Sequence, residues 1–311
     1  IRGKRSKSWE NERRINNYRT MVSVNKITAT ILQQLAPTGV LRAAVNLSNP
    51  LLVEQSSLSL PPNLITGLSP SFAAAIAHRL NVPLKLVPYE HPDTICTAAE
   101  EWQQQQQQQQ QENQPWDITL IAADSDRELQ GIDFTSAYCE IQATCMVPTS
   151  SCIRTFNDVN KEGVRLSTKG GGAYDLWVTR NWNQPTIVRS RTLEESYLTY
   201  INDVNDNDDV GDNDGLKACL AGLRPRLVED LERDKAGHRL LEGSFMSVEQ
   251  AIGCMKINYN DDDGTDTSLI SPGHNFLQEF LEESRAPGGL IEELIQKHGM
   301  IGRLSLPSST V

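Results

Sequence analysis

The feature that most constrains this chain is an alternation of short apolar segments with helix-patterned ones. Three apolar segments in the first half predict strands, at residues 41–47, 84–87 and 116–122. Apolar residues at helical spacing follow Ser69 and Pro70, where serine suits an N-cap and proline suits the first helical turn. Because consecutive parallel strands need a crossover between them, this β-α-β-α-β order predicts a parallel sheet.

The same alternation recurs in the second half of the chain. Strands are predicted at residues 164–166, 187–188 and 216–220, with a helix at 174–182. Thr192 and Glu195 have the spacing of a capping box, in which each side chain bonds the other residue's backbone. Two apolar helix patterns then end before Gly299, a typical helix stop. Two such sets followed by helices predict two α/β lobes with a cleft between them.

Charge and composition narrow the functional classes. The chain has 311 residues, 29 basic and 40 acidic, for a net charge of −11. A general nucleic-acid binder usually shows a basic face, so we expect none here. The chain contains no run of about 18 apolar residues, so we expect no membrane span. The six cysteines form no CxxC pair and no Cys/His cluster. We therefore expect no metal, no cofactor and a reducing or neutral compartment.

Four polar segments interrupt or precede this pattern. Residues 103–111 are nine consecutive glutamines, which predict a disordered insertion. The acidic runs at 203–214 and 261–266 lack the ligand spacing of an EF-hand, so solvated loops are favoured over calcium sites. Residues 1–36 begin with a basic stretch that no apolar segment follows. A disordered arm is favoured over a transit peptide, and a cytoplasmic location over a secreted one.

Arg127 is the first candidate for ligand binding. It follows the predicted strand at 116–122, and ligands of open α/β sheets bind beyond the carboxyl ends of strands. A guanidinium group can hold a carboxylate through two parallel hydrogen bonds. The alternative is a surface arginine paired with Asp124 or Asp126.

The glycine-rich segment after the strand at 164–166 is the second candidate. Lys169 and three glycines precede the predicted helix, so Gly172, Ala173 and Tyr174 stand at a helix start. Free backbone N–H groups at such a start attract anions. The spacing matches neither a P-loop nor GxGxxG, and the alternative is a plain flexible turn.

Several longer stretches carry a resemblance to a known family. They are residues 37–49 (PTGVLRAAVNLSN), 67–81 (GLSPSFAAAIAHRLN), 116–127 (WDITLIAADSDR), 132–138 (IDFTSAY) and 245–253 (FMSVEQAIG). Together they resemble the polar-amino-acid-type solute-binding proteins of ABC transporters. The resemblance spans about residues 37–305, apart from the insertions.

This resemblance implies a two-lobed, type II periplasmic-binding-protein-like fold of parallel-rich sheets with flanking helices. Lobe one would comprise residues 37–147 and the returning segment 247–305. Lobe two would comprise residues 148–246, and residues 306–311 would form a tail. Two hinge strands would join the lobes, and a ligand between them would close the cleft.

The resemblance also assigns residues. Arg127 matches the family's arginine that holds a ligand α-carboxylate, and Ser125 could add a hydroxyl donor. The loop after the first strand offers Asn46 and Asn49 where the family has an aromatic residue. The family's ammonium-binding aspartate in lobe two is missing, and Arg224 stands there instead. These departures favour a dianion, or a carboxylate that lacks an amine, over a standard amino acid.

Two function classes follow, with Glu140 and Gln250 as further cleft candidates. In the first, a monomer binds a small carboxylate or amino-acid-like ligand without catalysis, for transport or sensing, and an ABC-transporter permease is its expected partner. In the second, the same fold serves a cyclohexadienyl dehydratase-like enzyme. That enzyme would need a general acid, and Glu140 is the candidate. A third reading is an interaction protein that uses its polar loops.

Overall fold

The computed structural model describes residues 27–54, 64–108, 114–208, 217–233, 237–256 and 271–307. The basic stretch at residues 1–20 and the acidic run at 261–266 lie outside these ranges. The ends of the glutamine run and of the other acidic run also lie outside them. Within the described ranges, no helix has the length and hydrophobicity that membrane crossing requires.

Strands and helices alternate over the described residues. The strands are β1 (Leu41–Asn46), β2 (Leu84–Tyr89), β3 (Ile118–Ala122), β4 (Ile132–Pro148), β5 (Val164–Lys169), β6 (Thr186–Ser190), β7 (Lys217–Leu223), β8 (His238–Leu240) and β9 (Met246–Met255). The helices are α1 (Ala29–Leu35), α2 (Leu68–Leu80), α3 (Pro92–Gln107), α4 (Ser125–Leu129), α5 (Phe156–Val159), α6 (Ala173–Asn181), α7 (Leu193–Asp208), α8 (Arg224–Arg233), α9 (Pro272–Ser284) and α10 (Leu290–Lys297).

Two long strands join two parallel groups into one sheet. The strand order is β2-β1-β3-β9-β4-β7-β5-β6, and β8 pairs with β4. β2, β1 and β3 are mutually parallel, as are β7, β5 and β6, whereas β4 and β9 run antiparallel to each other and to their neighbours. β4 pairs with β9 as far as Ala143 and with β7 from Ala143 to Met146. The chain therefore has two lobes with β4 and β9 as the two-strand hinge, which confirms the expected fold.

The core of lobe one lies on both faces of its sheet. β3 is buried along its whole length, as expected of a parallel strand covered by helices on each side. Leu120 packs with Phe72 and Ile76 of α2, whereas Ile121 packs with Ile95 of α3. Successive side chains of a strand point to opposite faces of the sheet. One short apolar strand therefore contributes side chains to the core on each face.

The core of lobe two includes an aromatic cluster beside the hinge. The ring of Phe245, just before β9, lies 5.2 Å from that of Trp177 and 5.0 Å from that of Trp182. These rings pack with Val164 and Leu166 of β5. The return strand β9 is therefore anchored to lobe two where it leaves that lobe.

The start of α2 differs from the sequence prediction. The N-cap is Gly67 rather than Ser69, whose hydroxyl lies 3.3 Å from that of Tyr138 in the core. Gly67 has a φ of 132°, and a Cβ there would lie 2.4 Å from the backbone oxygen of Leu52. A glycine is required because the chain passes too close for any side chain. The capping box of Thr192 and Glu195 is confirmed.

Three segments expected to be loops or disordered contain helix in their described parts. α3 continues into the glutamine run, where Gln103 Nε2 donates to the backbone oxygen of Lys256 over 2.6 Å. Glutamine has a high helix propensity, so an existing helix extends readily through it. α7 continues into the first acidic run, where Asp203 pairs with Arg165 over 2.8 Å. α1 lies in the expected arm and is tied to the core by its buried residue Leu35.

Candidate functional site

A cavity lies between the lobes at the carboxyl ends of their parallel strands. The last residues of four strands line it: Asn46 of β1, Ala122 of β3, Lys169 of β5 and Leu223 of β7. Val248 and Gln250 of the hinge strand β9 complete one wall. The cavity volume is about 60 Å³. Parallel α/β sheets bind ligands at this edge, so the topology itself places the candidate site here.

Arg127 is buried at this cavity, with 2% exposure. It lies in α4, a single turn that follows β3 because the Asp124 side chain accepts the backbone N–H of Asp126 and caps the helix. The guanidinium donates to the Ala122 oxygen over 2.6 Å and to the Gly171 oxygen over 3.1 Å. Among the described residues, no carboxylate forms an ion pair with it. The alternative of a surface arginine paired with Asp124 or Asp126 is therefore wrong.

Those two aspartates pair instead with Arg180 of the opposite lobe. Arg180 Nη1 and Nη2 lie 2.9 and 2.7 Å from the two carboxylate oxygens of Asp124. Nη1 also lies 2.7 Å from Asp126 Oδ2. This fork-to-fork pair is the geometry that arginine and carboxylate favour. It joins α6 of lobe two to α4 of lobe one, directly beside Arg127.

Lys169 brings a second buried cation to the cavity. It is 6% exposed, and its Nζ donates to Ser48 Oγ of lobe one over 3.0 Å. Burial lowers the pKa of Lys169; the carboxylate of Asp93 acts in the opposite direction, and the charge of Arg127 lowers the pKa further. Among the described residues, no acidic side chain forms an ion pair with this ammonium.

Polar neutral groups surround the two cations. Asn46 Oδ1 accepts the backbone N–H and hydroxyl of Ser48 over 3.0 and 2.8 Å, and Asn49 Oδ1 accepts the N–H of Leu51. Both residues line the cavity. Their amide nitrogens form no hydrogen bond within the described part of the chain. These asparagines therefore shape the loop with their oxygens and leave donors for a ligand.

The glycine-rich segment contributes Gly172, Ala173 and Tyr174 to the lining. Gly172 is the N-cap of α6, and no side chain caps this helix. The hydroxyl of Tyr174 is buried and has no hydrogen-bond partner among the described residues. Burial also raises the pKa of this phenol, which keeps it a neutral donor. A buried hydroxyl without a partner is costly, and this one belongs to a residue that lines the cavity.

Three expected cleft residues lie elsewhere. Ser125 is exposed at the start of α4. Glu140 accepts from Ser247 Oγ over 2.6 Å and lines a separate groove on the surface. Arg224 lines that same groove and donates to the Gly243 oxygen. Arg224 starts helix α8, and its position there turns it away from the interlobe cavity.

Arg226, which sequence reasoning missed, lines the cavity instead of Arg224. It lies two positions further along α8, on a different face of the helix. Unlike Arg127 and Lys169, it is already neutralised, because Asp230 and Glu194 lie 3.0 and 3.1 Å from its Nη2. Of the three cations in the described lining, Arg226 is therefore paired with acidic residues, whereas Arg127 and Lys169 form no ion pair with any described acidic residue.

The lining has a consistent chemical character. Among the described residues that form it there is no aspartate or glutamate. No group of three or more histidine, cysteine or acidic residues in the described ranges could hold a metal ion. The cavity can therefore hold anionic groups through two cations and several neutral donors. Its described lining contains no carboxylate that could bind an ammonium group of a ligand.

Comparisons by sequence identify no relative, since no family model and no curated protein matches the chain. Comparisons by structure do. A putative binding component of an ABC transporter from Wolinella succinogenes DSM 1740, complexed with lysine, superposes with a TM-score of 0.57 at 17% identity, over 84% of this chain and 96% of that one. A mutant of ArgBP from T. maritima gives 0.57 at 16% identity, over 87% and 99%.

An ancestral amino acid-binding protein, described as a precursor of cyclohexadienyl dehydratase, also matches. Its TM-score is 0.57 at 16% identity, over 86% of this chain and 98% of that one. The alignments cover nearly the whole length of these proteins, so both lobes and the hinge correspond. The chain has the two-lobed type II periplasmic-binding-protein fold.

Proposed function

We propose that this protein binds a small carboxylate between its lobes, without catalysis, and closes around it. The observation that carries this proposal is Arg127, a buried guanidinium at the carboxyl edge of the sheet with no acidic partner in the described structure. Burial of a cation is costly unless an anion compensates it. A ligand carboxylate in the cavity would supply that compensation.

The second part of the proposal is closure about the hinge. Lobe one (residues 37–147 and 247–305) and lobe two (148–246) would rotate about β4 and β9. Bonds already cross the cleft beside the cavity, from Arg127 to Gly171 and from Lys169 to Ser48. A ligand held by residues of both lobes favours the closed state because those contacts exist together only there.

Several proteins with this fold bind amino acids or serve ABC transporters, which supports a binding role. We propose a role in transport or sensing, with a transporter permease as the partner for transport. A dehydratase is less well supported. Glu140, the expected general acid, lies outside the cavity, and the described lining contains no other carboxyl group. A carboxylic acid transfers a proton to a bound substrate only from within hydrogen-bond reach, so the carboxyl general acid expected of such an enzyme is absent from the described lining.

The test is binding of small carboxylates by wild-type protein and by Arg127→Met and Arg127→Lys. Ligands are screened by thermal shift, because a ligand that binds only the folded state raises its melting temperature. Calorimetry then measures Kd. We expect Arg127→Met to weaken binding about 100-fold, since hydrogen bonds to a charged group contribute about 1.5–3 kcal/mol each.

Arg224→Met is the matched control, because it removes a guanidinium that lies outside the cavity. The melting temperature of each variant without ligand shows that it folds. Unchanged affinity in Arg127→Met, or an equal loss in Arg224→Met, contradicts the proposal. Turnover of prephenate or arogenate by the wild-type protein supports the dehydratase instead.

A further inference from the structure

The second buried cation defines the ligand more narrowly than the proposed function does. Lys169 lies on the lobe-two side of the cavity, across from Arg127 on the lobe-one side. Its ammonium has one described partner, the hydroxyl of Ser48. A neutral hydroxyl cannot balance a charge that is 94% removed from solvent, given the 6% exposure of the residue.

Nearby carboxylates do not supply that balance. Asp175 is already held by Arg189 over 2.9 Å and by the backbone N–H of Gly171 over 3.0 Å. Asp93 is exposed on α3 and lies against Gly171, outside the cavity lining. Glu90 and Glu194 line an adjoining pocket that Lys169 also borders; Glu90 is exposed, and Glu194 is paired with Arg226 and Arg233. None of these four carboxylates forms an ion pair with Lys169 in the described structure. The two cations therefore face one cavity and repel each other while it holds no anion.

The neutral groups of the cavity fit acidic oxygens as well. The Tyr174 hydroxyl is buried without a described partner and keeps its proton. Asn46 and Asn49 offer amide N–H groups beside the Ser48 hydroxyl. The Tyr174 hydroxyl and the two amide groups can each donate to a carboxylate. An α-ammonium placed among them would instead lie near two cations with no carboxylate in the lining.

We propose that the cavity takes a short aliphatic dicarboxylate, one carboxylate on Arg127 and the other on Lys169, an inference that rests on the proposed carboxylate-binding function. The chain must be short because the cavity is small, with about 60 Å³ open to the centre of a water-sized molecule. The ligand would lack an ammonium group, which separates it from the amino acids named for the structural neighbours.

The experiment compares three ligands of nearly equal size by calorimetry. Succinate carries two carboxylates, succinamate replaces one of them with a neutral amide, and aspartate adds an ammonium. We expect the wild-type protein to bind succinate at least 10-fold more tightly than either of the others. Lys169→Met should remove the preference for succinate over succinamate, whereas Lys169→Arg should retain it. Lys85→Met, which removes an exposed lysine of β2, is the matched control and should change nothing.

A pH series adds a second measurement. The pKa of Lys169 lies below its usual value, chiefly through burial, with Arg127 contributing and Asp93 and Asp175 opposing. Deprotonation removes the charge that binds the second carboxylate. Succinate affinity should therefore fall as the pH rises from 7 toward 10, while succinamate affinity stays constant.

The outcomes separate this inference from the proposed function. Tighter binding of aspartate than of succinate, or a succinate preference that survives Lys169→Met, overturns the dicarboxylate inference. If such binding still requires Arg127, the proposed function stands. If none of the three ligands binds in a way that depends on Arg127, the dicarboxylate inference is overturned. The proposed function is then decided separately, by the screen of small carboxylates with wild-type protein and Arg127→Met.

Discussion

Replacing Arg180 by glutamine should open the cleft and weaken ligand binding. Arg180 is the lobe-two member of an ion pair with Asp124 and Asp126 of lobe one. The Asp124 side chain is 2% exposed, so in the closed state its charge depends on Arg180 for compensation. Asp124 itself is a poor site for the test, because it caps the helix that carries Arg127.

The magnitude follows from the exposure of each contact. The Asp126 side chain is 49% exposed, so its pair with Arg180 contributes about 0–1 kcal/mol. Two bonds to the buried Asp124 would contribute about 1.5–3 kcal/mol each if they were fully enclosed. The Arg180 side chain is 37% exposed, and water solvates both partners once the cleft opens. We therefore expect a net effect of about 1.4 kcal/mol, a tenfold shift toward the open state.

Small-angle X-ray scattering and calorimetry measure the two consequences. In Arg180→Gln we expect a larger radius of gyration without ligand, and a Kd raised by up to tenfold because a smaller fraction of the protein is closed. High salt should weaken wild-type binding toward that of the variant. Asp126→Asn is the matched control and should change Kd by less than threefold. Unchanged scattering together with an unchanged Kd in Arg180→Gln would refute this account of closure.

Three further substitutions test other parts of the structure. Gly171→Ala should weaken binding at least tenfold by calorimetry, because φ is 74° there and a Cβ would lie 2.0 Å from Asp93 Oδ2 across the cleft. Arg42→Met should lower the free energy of unfolding in urea by about 3 kcal/mol, because it leaves the fully buried carboxylate of Asp117 without its cation. Glu140→Gln should leave Kd within twofold of the wild-type value, because this side chain lies in another groove; a large loss would place it at the site.

Local patterns predicted the alternating elements well, and most of the candidate site residues do line the cavity. Each strand of a βα unit is short, apolar and bounded by turn residues, and those properties are visible over a few positions. Arg127 could be placed because it follows a predicted strand directly, and the carboxyl ends of parallel strands share one edge of the sheet. Its isolation from Asp124 and Asp126 could not be predicted, since their partner Arg180 lies 56 and 54 positions away from them, respectively.

Glu140 and Arg224 show why other residues were misplaced. Glu140 lies in β4 beyond two irregularities in its pairing with β9, between Phe134 and Ala137 and between Ala137 and Cys139. Such irregularities interrupt the simple alternation of faces, and the sequence does not show where they occur, so the face of Glu140 could not be read from its position in the strand. Arg224 and Arg226 are two residues apart, and the exact start of α8 decides which of them reaches the cavity.

The sequence by itself determined the alternation of strands and helices. With it came a two-lobed α/β fold whose ligand site lies at the carboxyl ends of the parallel strands. These properties depend on neighbours within a few residues, so they are readable from the order of side chains. Only the tertiary structure decided which cations of the cavity lack an acidic partner in the described protein and can therefore bind an anionic ligand. Arg226 is neutralised by acids of α7 and α8, whereas Lys169 reaches across the cleft to a hydroxyl. Charge compensation depends on distances between segments far apart in the chain, and folding alone sets those distances.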